Sequence, residues 1–283
     1  MIKPKVSIVI LAWNNVTDIK KCIESIQAYY KEYHQLIIVD NGSTDGTAEY
    51  LSNLKDNWDY DYADLSIITN SDNIGYAAGN NRALASIKGA YTLWLNQDIV
   101  ITQKSIELLT QCLDENPQYA MVAPQLRYPD GRIQASCRAL PTVSHMLQSI
   151  RKGQWNDDFD YTKSQICEQP MASAIMIRSE IMQEIKGFDD HPDYWLFFND
   201  VDLSKTLQVN NYTTYYVAES LMYHDHGGST RKLLNIKKRL YWQKGFNRYF
   251  IKWHYPHGYK KYSFYIISGL IFSLLVVRDL VRK

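Results

Sequence analysis

Short apolar strands alternate with helical segments along the first third of the chain. The runs at 6–11, 36–39, 65–69 and 91–95 have the length and β-branched content of strands buried on both faces. Apolar residues at helical spacing predict a helix over 18–30, between the first two runs. Strands that alternate with helices predict βαβ units, so we expect an α/β fold with a mainly parallel central sheet flanked by helices.

The rest of the chain has a looser pattern. A polar, turn-rich stretch over 128–169 contains few periodic apolar positions, and we expect it to be a long loop region that shapes a substrate cleft. Apolar spacing predicts the remaining elements, which are helices at 47–54, 77–87, 105–115 and 201–209 and strands at 121–124 and 174–177. The sequence contains no internal repeat and no low-complexity tract.

Polar residues follow two of the predicted strands. Asp40 opens an Asp-Asn-Gly-Ser turn after the second strand, and Asp98 closes an Asn-Gln-Asp triplet after the fourth. Taken alone the first cluster is an ordinary turn, but ligands of parallel sheets bind beyond the carboxyl ends of the strands. Asp40 can accept a hydrogen bond from a pyrimidine N–H or a ribose hydroxyl, and Asp98 can hold a divalent ion that neutralises a diphosphate.

Two further clusters lie in the second half of the chain. Asp200 immediately precedes the predicted helix at 201–209, where a capping carboxylate is held rigidly; Asp202 lies in the first helical turn. His224 and His226 come shortly before a Gly-Gly-Ser-Thr sequence, a pattern more typical of a site than of a structural histidine. No phosphate loop and no GxGxxG motif follows the first strand, which weakens kinase, ATPase and dinucleotide-binding hypotheses.

Taken in order, these motifs resemble those of family 2 glycosyltransferases with the GT-A fold. The resemblance covers roughly residues 5–250 and is greatest to the bacterial rhamnosyltransferase-like branch that builds cell-surface polysaccharides. The segments that carry it are Val39-Asp40-Asn41-Gly42-Ser43-Thr44-Asp45-Gly46-Thr47, Asn73-Ile74-Gly75-Tyr76-Ala77-Ala78-Gly79-Asn80-Asn81-Arg82, Leu95-Asn96-Gln97-Asp98, Tyr128-Pro129-Asp130-Gly131-Arg132-Ile133-Gln134, Gly187-Phe188-Asp189, Phe198-Asn199-Asp200-Val201-Asp202-Leu203 and His224-Asp225-His226-Gly227-Gly228-Ser229.

The resemblance implies a role for individual residues. Asp200 stands at the position of the general base, with Asp202 as a fallback, while Asp98 and His224 would bind Mg²⁺ or Mn²⁺. Asp40 would lie at the pyrimidine nucleotide of the donor. The other donor-binding residues that the resemblance implies are Ala12, Asn14, Asn73, Gly75, Asn81, Arg82, Asn96, Gln97 and Arg231.

Three positions depart from the family pattern. Asn96 replaces the first acid of the metal-binding DxD motif, so one negative charge is lost there. Asn199 replaces the acid usually paired with Asp200, which removes a like charge that would raise the pKa of the base. Ala172 stands where a glycine is usual. The first two changes leave open a protein that binds nucleotide sugar without catalysis, as a scaffold.

Charge is distributed very unevenly along the chain. The near-neutral total of +1 combines 18 basic and 29 acidic residues up to Asp225 with 13 basic residues and one acid over 226–283. Such an asymmetry predicts an anionic partner for the tail. We therefore expect a catalytic domain over 1–230, with a nucleotide-binding half (1–100) and an acceptor half (101–230), and a basic helical extension over 231–283.

The extension has two parts. In the first, 231–253, Trp242, Phe246, Tyr249 and Trp253 form one helical stripe, which fits packing on the catalytic domain as well as membrane contact. The second, 262–277, has no charged residue and is shorter than the roughly 20 residues of a membrane span. Its basic flanks favour a helix lying in the interface of an anionic membrane; a re-entrant helix, a buried helix or a dimer contact are the alternatives.

The expected activity follows from the resemblance. It implies an inverting glycosyltransferase that moves L-rhamnose from dTDP-rhamnose to a polyprenyl-linked saccharide, with a UDP-hexose or UDP-galactofuranose as alternative donors. A nucleotidyltransferase would need a glycine-rich basic loop that is missing after the first strand. Four widely spaced cysteines and the lack of a signal-peptide pattern predict a cytoplasmic location, and the basic tail predicts a peripheral position on the inner face of the cell membrane. No nucleic-acid recognition motif is present, and oligomerisation is left open.

Overall fold

A computed structural model of the chain describes residues 4–142, 159–225, 235–259 and 261–270. Its named helices are α1 (Val16–Tyr29), α2 (Thr47–Asp56), α3 (Tyr76–Asn81), α4 (Ser105–Glu115), α5 (Ser179–Glu184), α6 (Asn199–Val209) and α7 (Asn235–Trp253). Its strands are β1 (Val6–Ala12), β2 (His34–Asp40), β3 (Ala63–Thr69), β4 (Tyr91–Asn96), β5 (Ile99–Ile101), β6 (Tyr119–Arg127), β7 (Cys137–Arg138), β8 (Gln165–Ile166), β9 (Gln169–Pro170), β10 (Ala174–Arg178) and β11 (Thr213–His224).

The first four strands form the parallel part of the central sheet. They lie in the order β3-β2-β1-β4, as expected of consecutive βαβ units. The register places Ala12 opposite Asp40 and Leu11 opposite Asn96. The polar residues that follow β1, β2 and β4 therefore lie at one edge of the sheet.

The other strands extend the sheet with mixed directions. β10 lies antiparallel between β4 and β6, and the long strand β11 runs parallel to β6 and antiparallel to β5. The β11–β5 register places His224 opposite Ile99, the residue after Asp98. Sheet pairing thus brings two residues together that are far apart in the sequence.

Both faces of the sheet are covered, which explains why the strands are apolar at successive positions. Ile8 and Ile10 belong to one hydrophobic cluster with the buried stripe of α1. Val9 and Trp94 belong to the opposite cluster with Leu203 and other residues of α3, α5 and α6. Strands buried on both faces read as continuous apolar runs, as the sequence pattern indicates.

Three predicted elements differ in the structure. The helix expected at 77–87 is split into α3 and a short 3₁₀ turn over 84–86. The helix expected at 201–209 begins at Asn199, so Asp200 lies in its first turn and is not its cap. The region over 128–169 contains the short strands β7, β8 and the start of β9, while 143–158 lies outside the described residues. Strands of two residues are too short to produce a sequence period.

The aromatic stripe of α7 packs on the protein. Phe246 and Tyr249 are buried in a cluster with Tyr194 and Phe198, which precede α7 in the chain. Gly245 allows this contact, because a Cβ at that position would lie 2.7 Å from the carbonyl oxygen of Phe197. The sequence allowed this stripe either to pack on the protein or to contact a membrane, and the structure shows that it packs on the protein.

Residues 261–270 are also helical and lie against α7. Phe264 and Ser268 are buried, whereas several large apolar side chains of the same segment are exposed to solvent. No helix within the described residues is long and apolar enough to cross a membrane. The rest of the predicted interfacial helix, 271–277, lies outside the described part of the chain.

Candidate functional site

The loops after β1 and β2 are joined by hydrogen bonds. The backbone N–H of Asn14 donates to Ser43 Oγ at 3.0 Å, and Thr44 N–H donates to Asn14 Oδ1 at 2.6 Å. Asp40 is buried at the end of β2, and its Oδ1 accepts a hydrogen bond from Ser43 N–H at 3.1 Å. Asn14 has a positive φ of 48°, a conformation that asparagine tolerates well. The structure therefore brings Ala12, Asn14 and Asp40 together, as predicted.

Asn41 organises the neighbouring loop. Its Nδ2 donates to Asn73 Oδ1 at 3.0 Å and to the carbonyl oxygen of Gly75 at 3.2 Å, and its Oδ1 accepts from Asn70 Nδ2 at 3.0 Å. Gly75 has a φ of +92°, and a Cβ there would lie 2.7 Å from the side chain of Trp195. Asn41, which was not among the predicted site residues, thus fixes the positions of Asn73 and Gly75.

Two predicted donor-binding side chains make structural contacts. Asn81 Nδ2 donates to the carbonyl oxygen of Phe188 at 2.8 Å, and its Oδ1 accepts from Phe188 N–H at 2.9 Å. Gln97 forms a similar reciprocal pair with the backbone of Trp13, at 3.0 and 2.9 Å. Both residues hold loops next to the site. Arg82 is exposed after α3, and Arg231 lies outside the described residues.

Asp98 and His224 form a buried pair. Asp98 Oδ1 lies 3.4 Å from His224 Nε2, and the two side chains are only 8% and 4% exposed. On the other side of the imidazole, Nδ1 lies 2.8 Å from Gln134 Oε1. Because an amide oxygen is an acceptor, Nδ1 donates this hydrogen bond, and Nε2 is the ring nitrogen that faces Asp98.

This pair fits a divalent cation. Asp98 Oδ1 is buried and has no hydrogen-bond partner among the described residues. A carboxylate oxygen and an imidazole nitrogen suit Mn²⁺, and a hydrogen bond to the second ring nitrogen is the usual way of orienting a histidine ligand. No group of three or more His, Cys, Asp or Glu side chains in the described part of the chain has the arrangement of a metal site.

The surroundings of Asp98 are acidic. Burial raises the pKa of Asp18, and the negative charges of Asp98 and Asp225 raise it further. Burial also raises the pKa of the Cys22 thiol, followed by the charges of Asp98 and Asp18. Carboxylates that repel one another in this way are stabilised by a nearby cation.

Asp200 lies in a cavity of about 360 Å³ that Asn96, the last residue of β4, also lines. Its Oδ1 accepts a hydrogen bond from Val201 N–H at 2.9 Å, and its Oδ2 accepts from Gln169 Nε2 at 3.1 Å. The carboxylate is thereby held at both oxygens. The substituted residues Asn96, Asn199 and Ala172 line the same cavity, so all three departures from the family pattern fall at the site.

Burial raises the pKa of Asp200, while the positive charge of Arg138 and backbone hydrogen bonds act in the opposite direction. A carboxylate with a raised pKa is a better proton acceptor than a solvated one. Arg138 and Gln169 were not predicted. They lie opposite each other in the β7–β9 pair, which brings both to the cavity wall, and a pair of two-residue strands gives no signal in the sequence.

Asp202 has a different environment from Asp200. It is buried, and its Oδ1 accepts hydrogen bonds from Tyr194 Oη at 2.9 Å and from Trp253 Nε1 at 2.8 Å. Lys252 Nζ lies 2.8 Å from its Oδ2. All of these partners hold the carboxylate in the protein interior, which argues against Asp202 as the fallback base.

The fold is an α/β architecture in which the ends of β1, β2 and β4 meet at one edge of the central sheet. In structure, the chain is similar to the mannosyltransferase PcManGT from Pyrobaculum calidifontis in complex with GDP-Man and Mn²⁺, with a TM-score of 0.61, 14% identity and 89% of this chain covered. It is also similar to S. aureus TarS 1-349, with a TM-score of 0.57, 15% identity, and coverage of 95% of this chain and 80% of that one. These similarities confirm the predicted GT-A fold.

The sequence model of glycosyl transferase family 2 matches residues 7–185. The chain therefore belongs to this family, and the predicted family is confirmed. A relative is the N-acetylglucosaminyl-diphospho-decaprenol L-rhamnosyltransferase of Mycobacterium tuberculosis, 22% identical over 216 residues that make up 69% of this chain. The chain covers 67% of the length of that relative and 64% of the mannosyltransferase.

Proposed function

We propose that the protein is an inverting, metal-dependent glycosyltransferase that moves L-rhamnose from dTDP-rhamnose to a lipid-linked saccharide in cell-surface polysaccharide biosynthesis. The observation that carries the proposal is the half-buried Asp200 carboxylate, held at both oxygens in a cavity that Asn96 also lines. Membership of glycosyl transferase family 2 supports sugar transfer as the reaction.

In the proposed reaction, Asp200 accepts the proton of an acceptor hydroxyl. The freed oxygen attacks the anomeric carbon of the donor on the face opposite the nucleoside diphosphate, which leaves with the electron pair of the broken C–O bond. One carboxylate is sufficient because no covalent enzyme intermediate forms. Gln169 and the N–H of Val201 keep the carboxylate oriented towards the cavity.

Asp98 and His224 are the residues proposed to hold Mg²⁺ or Mn²⁺, with Gln134 orienting the imidazole. A cation bound there would neutralise negative charge on the leaving diphosphate. The mannosyltransferase with the same fold contains Mn²⁺, which supports this assignment. Asp40 and Asn14 are proposed to contact the nucleoside, and Arg82 and Arg231 remain proposed donor contacts from the sequence.

The choice of donor rests on the mycobacterial relative, whose name states an L-rhamnosyltransferase that acts on a lipid diphosphate. A thermal-shift panel with Mn²⁺ is designed to test it, with dTDP-rhamnose, UDP-hexoses, UDP-galactofuranose and GDP-mannose as ligands. We expect dTDP-rhamnose to stabilise the protein most, because a ligand that binds only the folded state raises the melting temperature. Stabilisation by UDP-sugars alone would overturn the dTDP assignment, and stabilisation without transfer to any acceptor would favour a scaffold role.

The acceptor class and the location are proposed together. A polyprenyl-linked saccharide requires access to the membrane, and the exposed apolar residues of 261–270 offer a contact surface. Lys260 and Lys261 begin this segment, and 278–283 add further basic residues in the sequence. We therefore propose a cytoplasmic enzyme that binds peripherally to the anionic inner face of the cell membrane.

A double substitution is designed to test this surface. Ile266 and Leu270 are 65% and 62% exposed and lie one helical turn apart, so Ile266→Asp/Leu270→Asp places two charges on one face. We expect its partition onto phosphatidylglycerol vesicles to fall at least about tenfold, since each buried side chain contributes about 1.5–3 kcal/mol. Co-sedimentation measures the bound fraction.

A matched control uses an equally exposed residue elsewhere. Ile166 on β8 is 64% exposed, and Ile166→Asp is expected to leave vesicle binding unchanged. Equal binding of the double variant and the wild type would show that residues 261–270 do not carry the membrane contact.

A further inference from the structure

We infer that α7 forms part of the acceptor site. Trp242 on this helix stacks against the sugar ring of the acceptor, and Asp202 is the positioning residue that holds α7 in place. This inference rests on the proposed function and assigns a specific wall of the Asp200 cavity to the acceptor. It gives the basic extension a second role besides membrane contact.

Trp242 lines the same cavity as Asp200. Its ring stacks on Phe246 with centroids 5.0 Å apart and meets Phe198 edge to face at 5.5 Å, so it is supported from within the protein. The side chain nevertheless remains 42% exposed. A rigid, half-exposed indole that lines a cavity with a few polar groups is suited to contact one face of a ligand ring.

The lining of the cavity combines two kinds of chemistry. Asp200, Gln169 and Arg138 supply charged and amide groups, whereas Trp242 and Phe197 supply apolar surface. A sugar ring has the matching character, because its hydroxyl groups project from the edge while its C–H groups form an apolar face. A pyranose that stacks on Trp242 directs hydroxyl groups towards the base side of the cavity.

The helix that carries Trp242 is fixed by the second acid of the Asn-Asp-Val-Asp motif. Asp202 is 1% exposed and binds both Lys252 and Trp253 near the end of α7. Lys252 Nζ also lies 2.8 Å from Asp189 Oδ2, so one lysine connects α7 to two acids of the catalytic part. Asp200 therefore acts in this cavity as the base, whereas Asp202 acts on it indirectly, by holding the helix that carries Trp242.

The same wall connects to the proposed membrane surface. Gln243, the residue after Trp242, hydrogen-bonds through Nε2 to the hydroxyl of Ser268, which is buried in the segment 261–270. The apolar face of that segment and the cavity are thus on adjoining parts of one packed unit. We therefore expect a lipid-linked saccharide to approach the cavity past the helix that carries Trp242.

Steady-state kinetics on the full chain test the role of Trp242. With N-acetylglucosaminyl diphosphate carrying a short alkyl chain as the acceptor probe, we expect Trp242→Ala to raise the acceptor KM about tenfold, the equivalent of about 1.4 kcal/mol of lost contact. Donor affinity should stay within about twofold, and Trp242→Phe should recover part of the loss. The control is Leu240→Ala, which removes an exposed apolar side chain of the same helix.

Asp202→Asn tests the positioning role. The substitution keeps the size of the side chain and leaves Lys252 paired with Asp189. We expect a higher acceptor KM with kcat at saturating acceptor nearly unchanged, a division that a general loss of folded protein would not produce. A fall in kcat with the acceptor KM unchanged would contradict this role.

The outcomes separate this inference from the proposed function. If the wild type transfers sugar and Trp242→Ala has the wild-type acceptor KM, the inference is wrong while the proposed function stands. If the wild type transfers no sugar from any donor, the proposed function fails, and calorimetric binding of the probe decides the inference. Weaker binding of the probe to Trp242→Ala than to Leu240→Ala supports the inference. Equal or undetectable binding of the probe to all variants overturns the inference.

Discussion

Asp200→Asn is expected to lower sugar transfer by about 10²–10⁴-fold, the usual contribution of a general base. The substitution removes the proton acceptor but keeps the shape of the side chain. Donor binding is expected to be unchanged, because the proposed donor contacts lie at the ends of β1 and β2. The measurement is the rate of product formation, with donor affinity determined separately by calorimetry.

The fold of this variant is expected to remain intact. Asparagine has a single acceptor oxygen, so either Val201 N–H or Gln169 Nε2 loses its partner, at a cost of about 1 kcal/mol. Removing a buried charge offsets this loss, since burial disfavours the ionised form of Asp200. As a control, Asp190→Asn changes an exposed acid ten positions earlier in the sequence and should retain full activity. Wild-type transfer by Asp200→Asn would show that another group is the base.

The same residue predicts how the wild type responds to pH. Because burial raises the pKa of Asp200 above its ordinary value of 3.8, the carboxylate ionises at higher pH than a solvated aspartate. Transfer should therefore increase with pH through that raised value and then level off. The sign for stability is the reverse: the folded state binds the proton more tightly, so ionisation of Asp200 lowers the free energy of unfolding as pH rises between the two pKa values.

Asp98→Asn is expected to reduce Mn²⁺ affinity and transfer together, each by at least about tenfold, because a carboxylate ligand is replaced by a neutral amide. The pair with His224 remains in place but loses its negative charge. Titration of Mn²⁺ followed by electron paramagnetic resonance measures binding without any need for turnover. Chelation of divalent ions should likewise abolish transfer by the wild type and be reversed when Mn²⁺ is restored.

A surface acid provides the control for the metal site. Asp56 is exposed at the end of α2, so Asp56→Asn removes the same charge outside the site. This variant should bind Mn²⁺ like the wild type. Unchanged Mn²⁺ affinity in Asp98→Asn would remove Asp98 from the proposed ligands, whatever its effect on transfer.

The N-terminal half of the fold was predictable from the sequence because its signals are local. Buried parallel strands produce continuous apolar runs, and the polar residues that end them lie at one sheet edge. Asp40 and Asp98 were identified in this way. The pairing of Asp98 with His224 required the register of β11 on β5, which joins residues far apart in the chain. Only the family resemblance suggested it beforehand.

The acceptor side was much less predictable. Arg138 and Gln169 meet through a pair of two-residue strands, too short for any hydrophobic period. Trp242 was identified as part of an aromatic stripe, but the stripe alone did not distinguish a membrane from a protein surface. The deciding information is the packing of Phe246 and Tyr249 and the ion pairs of Lys252, which are tertiary contacts.

The configuration of the new glycosidic bond tests the central claim most directly. A single carboxylate base that activates the acceptor requires attack opposite the leaving nucleoside diphosphate, so the anomeric centre must invert. The donor that the wild type accepts is used to make the product. Nuclear magnetic resonance of this product gives the configuration from the one-bond coupling between C1 and H1. We expect the anomeric configuration opposite to that of the donor, and a product with retained configuration would show that transfer is not a single displacement assisted by Asp200.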